Sequence, residues 1–112
     1  MTDMTVIELI DASGLGIQCL HDGDRTVDGA YVGDLLSWVM GRACADNAWI
    51  TIMSNINVIA VASLSDVSCV IFAEGVKPDD ELIRVAKEKG VNLLTSELTA
   101  YETAVNISKF LK

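Results

Sequence analysis

The spacing of apolar and polar positions divides the chain into alternating helices and strands. In residues 2–13, Val6, Ile7, Leu9 and Ile10 share one face at helical spacing, with Glu8 and Asp11 outside it. Gly14 and Gly16 end that helix, and residues 16–20 read as a short strand. A polar loop over 21–33 follows, with a brief extended piece at 30–32. Asp34 is placed to cap a helix over 34–44 that buries Leu35, Leu36, Val39, Met40 and Ala43. Residues 48–53 form a strand rich in β-formers, and Asn55 or Asn57 caps a short helix that ends near Ala62. Residues 67–73 are apolar apart from Ser68, the mark of a strand covered on both faces. A strongly amphipathic helix over 79–89 turns Leu82, Ile83, Val85 and Ala86 inward, with Pro78 before it and Gly90 after it. Residues 91–95 are the last strand. Thr99 and Glu102 then make a capping box for a helix that runs to the C-terminus, with Tyr101, Ala104, Val105, Ser108 and Leu111 along one side.

The connections between the later strands are too long for hairpins and suit crossover helices. Right-handed crossovers give an α/β fold of three layers, αβα: a mostly parallel sheet of four to five strands with helices on both faces. A single domain over residues 1–112 is expected, and the strand order stays open.

Composition narrows the function. With 51% hydrophobic and 21% charged residues, the 112-residue chain has the make-up of a globular domain. Its net charge is −8, from 16 acidic and 8 basic side chains, which argues against nucleic acid and anionic membranes as partners. No apolar run approaches the ~20 residues of a membrane span. Asp3, Glu8 and Asp11 stand where a signal peptide would be basic. Cys19, Cys44 and Cys69 are widely spaced and sit among apolar neighbours, so reduced, buried thiols and a cytoplasmic location are expected.

Ligands of parallel sheets bind outside the carboxyl ends of the strands. Polar clusters at 21–34, 54–57, 74–77 and 95–97 each follow a strand and are expected to converge on one edge. The loop over 21–33 is the most conspicuous, because strand-to-helix connections usually take about 2–6 residues. It holds Asp22, Asp24 and Asp28, with Asp34 at its end and only Arg25 to offset them. Asp22-Gly23-Asp24 and Thr26 open like a calcium loop, but Val27 and Gly33 occupy the positions that need glycine and glutamate, so no metal site is expected. His21 has no second histidine at ligand spacing and reads as a surface or partly buried residue. Gly14-Leu15-Gly16 precedes a strand, so it is not a dinucleotide loop, and neither a P-loop nor a G-x-S-x-G elbow occurs. The expectation is a protein that is not an enzyme and carries no cofactor.

Asp24-Arg25-Thr26, the run from Tyr31 to Ser37, Trp49-Ile50-Thr51-Ile52, Asn57-Val58-Ile59-Ala60-Val61-Ala62 and Gly75-Val76-Lys77-Pro78-Asp79 together resemble the DRTGG domain family. This family is similar to the N-terminal domain of bacterial HPr kinase/phosphorylase. The namesake motif departs here, since Val27-Asp28-Gly29 follows where the family has Gly-Gly. The resemblance implies a stand-alone regulatory or oligomerising module, with homodimerisation as the shared property. The resulting expectation is a small anionic metabolite or nucleotide sensed at the strand-end edge. The candidate ligand-binding residues are Asp24, Arg25, Thr26, Asp34, Asn55 and Asn57, with Arg25 supplying the charged contact. The alternatives are a pure interaction subunit, using the loop and the Tyr31/Trp38 region on a partner protein, and a small enzyme using the aspartates of the loop.

Overall fold

In the structure, a computed structural model that describes residues 4–111, a short strand β1 (Met4–Thr5) leads into helix α1 (Val6–Ser13). Then come β2 (Gly16–Cys19), β3 (Thr26–Val27), β4 (Ala30–Val32), α2 (Leu36–Arg42), β5 (Ala48–Thr51) and α3 (Asn57–Ser65). The chain continues through β6 (Cys69–Phe72), α4 (Asp80–Lys89), β7 (Leu93–Thr95) and α5 (Ala100–Ser108). The Thr5 hydroxyl accepts from the Glu8 N–H and the Glu8 carboxylate from the Thr5 N–H, so the first helix starts at Val6. Met4 and Thr5 pair instead with Val27 and Thr26. Positions 2 and 3, read from sequence as helical, lie outside the described residues, as does Lys112.

The main sheet has the order β2-β7-β6-β5-β4. Strands β4, β5, β6 and β7 are parallel, and β2 lies antiparallel against β7 at one edge. The expected mostly parallel sheet of four to five strands is therefore present, with five, but its first strand runs the other way. Four residues, Gly-Ile-Gln-Cys, hold no signal for direction, because the side-chain alternation is the same either way.

Three successive right-handed crossovers in one direction put α2, α3 and α4 on the same face. Trp49, Val70, Phe72 and Leu93 point into that layer, against Val39, Ile59 and Leu82. The alternate residues Ala48, Ile50, Cys69, Ile71 and Leu94 face α1 and α5, against Leu9 and Ile107. Both faces of β5 and β6 are buried throughout, which explains the unbroken apolar run near residue 70. None of the described helices is long and apolar enough to cross a membrane.

Three expectations need correction. Helix α2 starts at Leu36 with no side-chain cap, and Leu35 and Met40 are more than half exposed; Leu36, Val39 and Ala43 make its inner side. In α5, Tyr101 and Val105 face solvent, while Thr103 and Ile107 are buried. Cys19 and Cys69 are buried free thiols as read from sequence, but Cys44 is exposed.

Candidate functional site

The reversal of β2 relocates the long loop. Because β2 is antiparallel, it ends where the other four strands begin, so the loop starts at the amino edge of the sheet. It must then reach β4 on the far side, across four strand spacings, about 19 Å. Its length is thus a consequence of strand order.

The loop is tied down at each strand it passes. Asn92, just before β7, accepts at Oδ1 from the His21 and Asp22 N–H groups and donates from Nδ2 to the carbonyls of Asp22 and Ser68. Arg25 donates from Nε and Nη2 to Asp46 Oδ1 at 3.2 and 3.0 Å, and from Nη2 to Asp66 Oδ1 at 2.8 Å. Nη2 also reaches the Asp66 carbonyl. Asp46 and Asp66 precede β5 and β6, and both adopt left-handed backbone conformations (φ 68° and 57°), which Asp tolerates better than most residues. Asn47 completes the series by donating to the Asp28 carbonyl. Burial opposes the charge on Arg25, but the hydrogen bonds to Asp46 and Asp66 outweigh it and hold the guanidinium pKa above its usual value.

The six sequence-derived site residues fall into two groups at opposite ends of the sheet. Asp24, Arg25 and Thr26 belong to the loop at the amino edge, with Arg25 committed to its ion pairs and Thr26 in β3. Asp34, Asn55 and Asn57 lie at the carboxyl edge. Asp34 Oδ1 accepts from the Thr51 hydroxyl at 2.8 Å and the Ile52 N–H at 2.9 Å, bridging β4 to the end of β5 instead of capping α2. Asn55 Oδ1 accepts from the Asn57 N–H at the start of α3. The expected convergence of four turns on one edge therefore holds for three of them. Among the described residues no three His, Cys, Asp or Glu side chains are grouped to hold a metal.

A second feature lies at the β4 edge, where sequence reasoning singled out only Tyr31 and Trp38. The Gly29 carbonyl and the Gly33 N–H bond to β5, so alternation turns the backbone groups of Tyr31 inward as well. The N–H and C=O of Ala30 and Val32 then point away from the sheet, and among the described residues no strand pairs with that side. Val32 is 49% exposed, and Leu35 just before α2 and Trp38 on it are 58% and 52% exposed. Arg42 stacks over the Trp38 ring at 3.8 Å.

The described residues thus form a three-layer α/β domain with a reversed strand at one edge of its sheet and β4 at the other. The segment 51–111 matches the family described as HPr Serine kinase N terminus, and the chain belongs to that family. Its fold is that of a solved structure of the CBS and DRTGG domains of the regulatory region of Clostridium perfringens pyrophosphatase, complexed with its activator diadenosine tetraphosphate. The two superpose with a TM-score of 0.77 at 15% identity, over 96% of this chain and 47% of that one. This chain thus spans about half the length of that structure. No curated protein matches it.

Proposed function

We propose that the chain is a non-catalytic, cytoplasmic regulatory module that works by pairing with a second copy through the open edge of β4. The observation that carries this reading is the N–H and C=O groups of Ala30 and Val32, unpaired among the described residues and flanked by the exposed Val32, Leu35 and Trp38 side chains. Exposed edges of this kind are templates for strand addition, and monomeric proteins usually cover or charge them. Antiparallel pairing of two β4 strands about a two-fold axis would join the sheets. The regulatory region of the pyrophosphatase supports a regulatory role for the fold. The aspartates of the loop support a non-catalytic one, since Asp22 closes a turn by accepting from the Asp24 N–H and Asp34 braces two strands. An effector, read from sequence as an anionic metabolite or nucleotide, belongs in this proposal at the carboxyl edge. Asp34, Asn55 and Asn57 are the sequence-derived candidates that remain there.

Sedimentation of the wild type and of Val32→Pro tests the pairing. Proline removes an N–H that points outward and leaves the ladder to β5 intact. The wild type is expected at twice the chain mass and the variant at the chain mass, with the same circular dichroism. A wild type that stays monomeric at high concentration ends the pairing proposal. The partner-protein reading, favoured by the exposed Trp38–Arg42 stack, then takes its place.

A further inference from the structure

We propose that a hollow at the β2–β7 end of the carboxyl edge binds a small zwitterion of the α-amino acid type, held between Lys77 and Glu97. This rests on the carboxyl edge being the effector side of the module and is independent of pairing through β4. The hollow measures about 540 Å³ and lies between the start of β2, the end of β7 and the turn after β6. That volume is in the range of small-ligand sites.

Thr95 is 5% exposed and lines the hollow, yet its hydroxyl has no hydrogen-bond partner among the described residues. The hydroxyl therefore reaches the hollow with its donor and acceptor both free, a ready contact for a bound molecule. Gly16 pairs with Thr95 across the sheet, and a Cβ on Gly16 would come within 2.5 Å of Thr95 Oγ1. Glycine at this position therefore leaves room for the hydroxyl itself, which a larger residue would displace.

Two charged side chains complete the lining. Lys77 Nζ lies 2.9 Å from Glu97 Oε2, and both side chains are more than half exposed. An exposed ion pair of this kind contributes little to stability and can open at small cost. A simple anion would have to displace Glu97 from Lys77 and then face the freed carboxylate. A simple cation meets the converse difficulty. A zwitterion replaces one ion pair by two, its carboxylate on Lys77 and its ammonium on Glu97, with no net change of charge in a chain already at −8. Leu15, Ile17 and Leu98 on the walls suit an aliphatic side chain.

The test is a thermal-shift titration of the full chain with L-leucine, L-alanine and glycine at millimolar concentrations, alongside acetate, methylamine and inorganic phosphate. A saturable rise in midpoint of several degrees is expected with leucine. It should vanish in Lys77→Ala and in Glu97→Gln, and weaken in Thr95→Val. Those two surface variants and the near-isosteric valine should keep the wild-type midpoint without ligand and the wild-type sedimentation. Absence of any shift with the amino acids overturns the proposal. So does a phosphate or acetate shift that survives Glu97→Gln, which would mark an anion site, or a leucine shift untouched by all three variants. Sedimentation reads the β4 pairing separately, so failure of one proposal is distinguishable from failure of the other.

Discussion

Arg25 touches two aspartates and a carbonyl while about a quarter of its side chain remains exposed (26%). Removing it leaves Asp46 and Asp66 facing each other across the strand starts without a counter-charge. Arg25→Ala should therefore lower stability by about 1–3 kcal/mol, read from the urea midpoint, and Arg25→Lys should recover only part of it, lacking the forked geometry. The Asp-Arg-Thr motif was legible in the sequence, but its task was not, because the two acidic partners lie 21 and 41 residues away. The thiols give a second case. Burial pushes Cys69 up to about 12, against smaller opposing effects of the Ser68 hydrogen bond and the Arg25 charge. The unfolded chain releases that proton near the usual thiol pKa and the folded chain holds it. Stability from this group is thus unchanged below about pH 9 and falls as pH rises toward 12. The alkaline loss should be smaller in Cys69→Ala, measured by urea unfolding at pH 8 and pH 10.5. Native protein should take up one equivalent of a thiol reagent, at the exposed Cys44, with Cys19 and Cys69 reacting only on unfolding.

Among the helices and strands, Asp34 and Asp79 look alike in sequence, each an aspartate just ahead of an apolar-periodic run. Only Asp79 caps its helix, accepting from the Leu82 N–H at 2.8 Å. Asp34 is drawn off by the Thr51 hydroxyl on the neighbouring strand, a competitor that local sequence does not reveal. Asp79→Ala should cost about 1 kcal/mol, with the loss confined to one capping bond. Asp34→Ala should cost a similar amount or more, and its effect should shrink in a Thr51→Val background. A double-mutant cycle on urea midpoints measures that coupling. An unchanged Asp34 effect in that background would show that the brace to Thr51 contributes nothing. The same contrast explains what was readable. Helix α4 carries both its periodicity and its cap within its own few residues and α5 its capping box, whereas α2 borrows its position from β5.

For the molecule as a whole, hydrophobic alternation identified the layers because β5 and β6 are buried on both faces and the helices on one. The candidate site was less legible, since a single unknown, the direction of β2, decides on which edge residues 21–29 lie. With β2 parallel the loop would have joined the turns at 54–57 and 74–77; with β2 reversed it braces the opposite end. Lys77 and Thr95 were visible as members of polar clusters, but the hollow they line is also bounded by Gly16, seventy-nine residues from Thr95 in the chain and opposite it in the sheet. The sedimentation contrast between wild type and Val32→Pro belongs at this scale too, because only the assembled edge presents β4.

The antiparallel union of β2 with β7 also sets a timetable for the growing polypeptide. Strand β2 has β7 as its neighbour among the described residues, and β7 comes far later in the chain, so during synthesis the hydrogen-bonding side of β2 stays unclaimed until residues 93–95 emerge. Closure then comes late and all at once, and a chain stopped short of Asn92 should be digested from its amino-terminal third first.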